Sequence, residues 1–506
     1  MKLIKFSRIG LAACLLWSCA EAPVSHHENR PLSGLPIVYS ANVSGEIEPC
    51  GCRGNPSGGL DRRWNAQKEV FASFDEKQPL VVDSGDLFFR GAPVPFLLAP
   101  QWKYQAQVLV EGYNSLGIEF LAPGELDFAA GMDAFIELRH RARFKVLSSN
   151  IYEELSGALV FDASAVVEKN GKKIGILGVY DEELDLPAGY RARPHIEAVK
   201  QEVNKLRSEK NVAVVVALTH LGLEKDRLLA ASVSGIDVIV GAHSHSFLTK
   251  PERVGETIIL HSSYRGQHLG VFLDGTNTFY QLEDRYISPA GRSNPMDQLL
   301  LRSKKRIAEL NAESDAEIFG DAVPAKNKHV RAEKKVRNTT TPGQVLQTFA
   351  QCAQCHSKQH EFVSKTRHSS AYLTLMKVGQ NRNLECLQCH TLGQGMPSGY
   401  SHVDRLVIGT DGSQLNVEKF ASELPQMSVA ELRKVKRALI NVQCESCHSV
   451  APTHARKSGG TNISPKPGAA TCLACHTSDR APGWYRDGKL DQKLFAEKLE
   501  SVSCPR

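Results

Sequence analysis

The chain has 506 residues, 42% of them hydrophobic and 7% aromatic, enough for two or three domains with cores of their own. The net charge of +6, from 61 basic and 55 acidic residues, is mild, and no long basic block marks a nucleic-acid surface. Beyond the N-terminus no stretch reads as a membrane span.

Lys2, Lys5 and Arg8 precede an apolar run, Ile9 to Trp17, that is too short to cross a bilayer. It ends in Leu16-Trp17-Ser18-Cys19, similar to a lipoprotein cleavage box with Cys19 as the lipidated residue. Residues 1–19 are therefore expected to be a lipoprotein-type signal peptide, and residues 20–35, polar and Pro-containing, a tether. Ala20 follows where a retention signal has Asp, which favours the outer membrane. The protein is then expected to face the periplasm. Trp17 is bulky for its place, and ordinary signal-peptidase cleavage nearby is the alternative.

From 36 to 290, short β-rich runs alternate with helical stretches. Strands are expected at 36–42, 79–84, 118–122, 144–149, 173–179, 211–219, 236–241, 256–262 and 268–273. Asn170-Gly171 reads as a hairpin turn. The runs "NVAVVVALTH" and "IDVIVGAHSH" each end in histidine, so this is an α/β domain with ligands gathered at strand ends.

Asn294-Pro295 looks like a cap and a first helical residue, followed by Met296, Leu299, Leu300, Ile307 and Leu310 at helical spacing. Residues 312 to 341 lose that period and carry Lys326, Lys328, Arg331, Lys334, Lys335 and Arg337 against Glu333. Residues 291–342 are thus a helix and a basic linker, with a docking strip for an acidic partner as the sharper alternative. From 343 to 506 strand signals nearly vanish, and Ser428 with Glu431 forms a capping-box pattern. A segment so irregular buries little side-chain area, so something else must form its core.

That segment holds four copies of C-x-x-C-H: Cys352, Cys355 and His356; Cys386, Cys389 and His390; Cys444, Cys447 and His448; Cys472, Cys475 and His476. Chance would give on the order of 0.01 such pentads. Two thiols bond the vinyl groups of one haem, and the adjacent histidine becomes the proximal iron ligand. Zinc sites or C-x-x-C disulfides leave that histidine unexplained. Four c-type haems are expected, with His368, His402, His454 and His360 as candidate distal ligands, His360 the weakest because it lies so near His356. Each of these is also open to a surface role. Met376, Met396 and Met427 are outside candidates for distal ligation and read first as packing residues.

The haem segment, "CAQCHSKQHEFVSKTRHSSAYLTL" through "VQCESCHSVAPTHARK", resembles the tetrahaem cytochrome family of nitrifier electron carriers over about 345 to 480. The resemblance implies a mostly α, haem-cored domain whose packed haems pass electrons between partners. It maps distal ligands to His368 and His454, and implies that one haem lacks a sixth protein ligand.

Residues 36–290 resemble the calcineurin-like metallophosphoesterases, in particular the catalytic domain of 5'-nucleotidases. The matching pieces are "VVDSGDLFF", "SSNIY" around Asn150, "ALTHLGLEKD", "IVGAHSHSF" and "HSSYRGQHLG". The resemblance implies a four-layer α/β fold, with Asp86 bridging two metals, His220 and His243 on one and His245 on the other. The family's Asp-x-His is here Ala41 and Ser44, and its Asn-His-Glu is "APGELD", with Pro123 and Gly124 in place of ligand and acid. Two-metal hydrolysis needs both ligand sets. The site reads as degenerate: one divalent transition metal on Asp86, His220, His243 and His245, or remnants packed at strand ends. Glu125, Asp127 and Glu46 are potential rescuers that spacing does not establish. Cys50 and Cys52, in "EPCGCRGNPSGGLDRR", are too close for an easy disulfide and read as soft-metal ligands or as partners of other cysteines such as Cys504.

The expected protein is an exported multihaem cytochrome with an impaired phosphoesterase-like domain, working with periplasmic or membrane redox proteins. The alternatives are a metal-dependent phosphoesterase with an attached cytochrome, and a multihaem reductase of small nitrogen compounds.

Overall fold

A computed structural model describes residues 32–49, 56–319, 346, 349–394, 400, 439–448, 467–478, 480–486 and 489–505. The first domain runs β1 (Ile37–Ser40), α1 (Leu60–Ala72), β2 (Leu80–Asp83), α2 (Ala99–Leu116), β3 (Phe120–Leu121), α3 (Met132–Arg141) and β4 (Lys145–Val146). It continues with β5 (Ile151–Glu153), β6 (Ser164–Lys169), β7 (Lys172–Tyr180), β8 (Tyr190–Ala192), α4 (His195–Asn204), β9 (Val214–His220) and α5 (Leu223–Ser232). Then come β10 (Val238–Gly241), β11 (Glu252–Val254), β12 (Thr257–His261), β13 (His268–Leu273), β14 (Thr276–Gln281) and α6 (Pro295–Phe319).

Two six-stranded sheets form the middle layers, in the orders β14-β13-β1-β2-β3-β4 and β11-β12-β10-β9-β7-β6. In the first, β1 to β4 run parallel and β13 and β14 close one edge antiparallel. In the second, β7, β9, β10 and β12 are parallel and β6 and β11 are antiparallel edges. Alternation along each strand sorts the side chains. Ile37, Tyr39, Leu80 and Val82 face Ile174, Ile176, Val214, Val216 and Val238 between the sheets. Val38 and Val81 turn the other way, onto α1, α2, α3 and α6. Val215, Ala217 and Ile239 turn outward onto Val199 and Val203 of α4 and Leu229 of α5. The result is the expected four-layer α/β/β/α stack.

Each expected strand exists, though 118–122 and 144–149 shrink to two residues apiece. Asn170 and Gly171, both at positive φ, turn the chain between β6 and β7. The edge strands β6, β11 and β14, half-exposed and with at most three consecutive apolar residues (Ala165 to Val167 in β6), have no counterpart among the expected strands. Asn294 caps α6 as expected, its Oδ1 accepting from Met296 N at 2.8 Å and Asp297 N at 3.0 Å.

The C-terminal segment contributes α7 (Phe349–Cys352), α8 (Ser357–Ser364), α9 (Ala371–Lys377), α10 (Leu384–His390), α11 (Cys444–His448) and α12 (Ala469–Leu473). A two-stranded hairpin, β15 (Tyr485–Arg486) with β16 (Lys489–Leu490), precedes α13 (Gln492–Val502). Tyr372, Leu373, Leu384, Leu387 and Ile440 join the apolar cluster of α1, α2 and α6. Among the described residues no helix is long and apolar enough to cross a membrane. The signal peptide with Cys19, the residues Cys50 and Cys52, the basic run 326–337, Met396, His402, Met427, the Ser428–Glu431 pattern and His454 lie outside the described residues.

Candidate functional site

The parallel strands of both sheets end at one place. After β2 the chain turns through Gly85 into Asp86, which has φ 53°. A Cβ on Gly85 would sit 2.4 Å from Gly124 N, so only glycine lets the two strand-end loops touch. Asn42, Ser44, His243 and His245 also have positive φ, and together they mark strain held at strand ends.

His220, at the end of β9, is fully buried. Its Nδ1 lies 2.7 Å from the carbonyl of Ser84. A carbonyl only accepts, so Nδ1 carries the proton and Nε2 faces the site. Nε2 is 2.9 Å from Glu125 Oε2 and 3.4 Å from Asp86 Oδ2. Glu125 Oε1 is 3.1 Å from His243 Nδ1. Although Glu125 Oε2 and His220 Nε2 are close, they are out of line for a hydrogen bond, and both are shut off from solvent. Ligand atoms of Glu125, His220 and His243 all fall within 4.8 Å of one another, the one such group among the described residues. Three potential ligand atoms so close together are a donor set of the kind a divalent metal uses.

Electrostatics favour a cation there. Burial pulls the His220 imidazole down, but the Asp86 and Glu125 carboxylates outweigh it and hold it well above the usual histidine range. Burial pushes Glu125 up, but His220 and His243 hold it well below the usual carboxylate range. His220 and Asp86 form a buried floor, while His243 and Glu125 are partly open.

The set differs from the expected one. Glu125 enters it, and His245 stays out, its ring stacked on Tyr264 with centroids 5.3 Å apart. Burial lowers the His245 pKa, so it stays neutral. Asp86 supports the group: its Oδ1 accepts from Leu126 N at 2.8 Å while Oδ2 faces His220. Of the other rescuers, Asp127 is committed to the backbone N–H groups of Asp86, Leu87, Phe88 and Gly124. Glu46 is committed to Arg90 at 2.9 Å and Arg265 at 3.2 Å. Ser44 bonds the carbonyl of Asn42 at 3.3 Å. Asn150 Nδ2 donates to the carbonyls of Tyr180 and Arg193.

Gly124 stands where the resemblance puts the catalytic acid. A Cβ there would lie 2.4 Å from Asp86 Oδ1 and 2.6 Å from His220 Nε2. The backbone at Gly124 leaves no room for a side chain. Sequence reasoning left Glu125 undecided because its reach to two histidines on other strands has no signature in spacing. It also missed the work of "GGLDRR". Arg62 pairs with Asp284 at 2.7 Å, and Arg63 donates to Tyr113 Oη at 3.0 Å, which bonds Asp83 at 2.9 Å. Arg63 thus ties α1 through Tyr113 to the strand that delivers Asp86, while Arg62 ties α1 to the turn after β14.

In the C-terminal segment, Cys386 and Cys389 lie one turn apart on α10. His390 Nδ1 is 2.6 Å from the carbonyl of Ala371, which fixes its proton there and leaves Nε2 for a metal. Cys352 contacts Cys444, and Cys389 contacts Cys475, so the first motif neighbours the third and the second neighbours the fourth. No disulfide joins the described cysteines, and no three of their sulfurs converge as a metal set. His368 and His476 have ring centroids 6.1 Å apart, and Trp484 stacks on His476 at 4.3 Å. His360 packs its ring against Phe349 at 5.7 Å. His356 is exposed, His448 half-buried, and Met376 packs on the apolar cluster. These donors suit covalent haem, whose thioether bonds use cysteines in pairs rather than fours.

Residues 351–409 match the family described as cytochrome c554 and c-prime. The first domain is similar to 5'-nucleotidases. It is 29% identical over 238 residues to that of Diplobatis ommata, spanning 42% of this chain and 38% of the relative. It is 28% identical over 251 residues to the snake venom 5'-nucleotidase of Gloydius brevicauda, spanning 46% and 40%. The chain thus spans about two fifths of the curated relatives it matches. Among solved structures, a 5'-nucleotidase precursor from Thermus thermophilus aligns with a TM-score of 0.46 and 22% identity, over 54% of this chain and 59% of that one. The chain therefore joins a 5'-nucleotidase-like, calcineurin-like phosphoesterase domain in its N-terminal half to a segment of the cytochrome c554 and c-prime type.

Proposed function

We propose that the protein is an exported electron carrier. In this reading four c-type haems are attached through Cys352 and Cys355, Cys386 and Cys389, Cys444 and Cys447, and Cys472 and Cys475. They give a mostly α C-terminal domain its core and supply one-electron chemistry when bound. His356, His390, His448 and His476 are the proximal ligands. The observation that carries the reading is the recurrence of C-x-x-C-H together with the His390 proton committed to Ala371. His368, its ring centroid 6.1 Å from that of His476, would be in place to serve as the second imidazole of that haem. The N-terminal pattern ending at Cys19 supports a lipid anchor facing the periplasm, where redox proteins would be its partners.

The first domain, in this reading, holds one divalent transition metal on Glu125, His220 and His243, with Asp86 beside it, and has lost ordinary two-metal hydrolysis. Gly124, which leaves no room for a catalytic acid, is what favours impairment. Similarity to 5'-nucleotidases, and the surviving Asp86, His220 and His243, favour the second reading, a metal-dependent phosphoesterase.

Purified protein from a host with haem-attachment machinery separates the two. The carrier reading expects mostly low-spin spectra that carbon monoxide leaves largely unchanged, about one metal beyond the haem irons, and no phosphate release from a generic ester. Two tightly bound metals with turnover would replace it by the hydrolase. A spectrum converted wholesale by carbon monoxide would favour a reductase of small nitrogen compounds.

A further inference from the structure

The second C-x-x-C-H helix, α10, is capped by the other domain. Gln101 of α2, fully buried, donates through Nε2 to Asn383 Oδ1 at 2.7 Å and accepts from Leu384 N at 3.2 Å. Asn383 Oδ1 also accepts from Glu385 N at 3.0 Å. Asn311 of α6 donates to Gln101 Oε1 at 3.0 Å and to the carbonyl of Arg382. A helix end whose N–H groups are met by Asn383 and by Gln101 of the other domain, with Asn311 bracing Gln101, is a built joint, not a passing contact.

A charge sits at its centre. Glu385, 7% exposed, immediately precedes Cys386. Its Oε1 accepts from Trp102 Nε1 at 2.6 Å and lies 3.1 Å from Arg90 Nη1. Arg90 spends its other terminal nitrogen on Glu46 at 2.9 Å, and Glu46 reaches Arg265 at 3.2 Å. Cys386 and Arg480 are electrostatic neighbours of Arg90. Arg90 and Arg265 thus alternate with Glu46 and Glu385 in a largely shielded chain beside one thioether position, with Arg480 as a further positive neighbour. Such a network costs desolvation that an apolar joint would avoid.

We propose that the phosphoesterase-like domain is the seat of the second haem, and that Arg90, acting through Glu385, is a positioning residue that sets this haem's redox potential. The proposal rests on the haem reading above. Its physics is charge balance at low dielectric. A positive group near the iron favours the reduced state and a negative one the oxidised state. Arg90 and Glu385 cancel. Removing either unmasks the other, so the two variants move the potential in opposite directions. A joint that merely loosened or took in water would move it the same way for both.

The test is a spectroscopic redox titration of full-length haem-loaded protein. In Arg90→Gln one of the four haems should become easier to oxidise, by about tenfold in the oxidised-to-reduced ratio at fixed potential, which is about 59 mV for one electron. In Glu385→Gln the same haem should become easier to reduce by a similar factor. Arg90→Lys, which keeps the charge, should stay close to wild type. Trp102→Phe, which removes only a neutral donor to Glu385, should shift in the Arg90→Gln direction by less. Should Arg90→Gln fail to fold, Trp102→Phe set against Glu385→Gln carries the same test of opposite signs. Shifts of one sign in both variants, or no shift in protein that still stains for four haems, would overturn the proposal alone. Wild-type protein without covalent haem would overturn the underlying reading and this one with it.

Discussion

The phosphoesterase-like domain fills its interior with its own side chains, and the C-terminal third does not. Between the sheets, Ile37, Tyr39, Val82, Ile176, Val216 and Val240 leave no more than traces of exposed surface. Each such residue contributes about 1.5–3 kcal/mol. In the C-terminal third, α8 and α12 bury no residue at all. The α-helices described there run from four to eleven residues, below the length at which a helix holds in water by itself. What apolar surface it buries, at Leu384, Leu387 and Tyr372, goes largely onto the first domain. One half specifies its fold by pattern; the other, in the reading proposed above, draws on covalent haem and on a neighbour.

That contrast can be broken most sharply by withholding haem. In a host without attachment machinery, limited proteolysis should remove the C-terminal third while 36–290 survives as a resistant fragment. Equal resistance across the chain would erase the distinction.

The proposed metal site comes next. His220→Ala leaves the Asp86 and Glu125 carboxylates without the imidazole between them, at roughly 3–5 kcal/mol by denaturant titration. Bound metal should fall below about a tenth of the wild-type level by elemental analysis. Retention of full metal would move the site elsewhere. A smaller effect is expected from Gly124→Ala. Its Cβ would sit 2.4 Å from Asp86 Oδ1, so the variant should lose about 1–3 kcal/mol and gain no phosphatase turnover. Smallest is the cap of α6: Asn294→Ala should lower stability by about 1 kcal/mol, seen as a few degrees in Tm, with haem content unchanged.

Legibility followed the same divide. Val214 to His220 and Val238 to Gly241 are continuous buried runs, and their period and length made them readable. The edges β11 and β14, half-exposed and polar, had no such signal. His220 and His243 were legible as histidines closing apolar runs, while Asp86 and the ligand role of all three came from the resemblance to metallophosphoesterases. Glu125 was not, because a carboxylate 95 and 118 residues from its two histidines is placed only by the closed fold. The joint at Glu385 was invisible for the same reason: Trp102 meets it across 283 residues. The four C-x-x-C-H motifs were fully legible, since their chemistry is local.

The most direct check on the account is the intact mass of protein matured with haem-attachment machinery, taken after denaturation so that only covalent groups remain. The expected result is the polypeptide plus four haems, with the added mass mapping to peptides around Cys352, Cys386, Cys444 and Cys472. A mass equal to the polypeptide alone, with zinc in the folded protein, would contradict it.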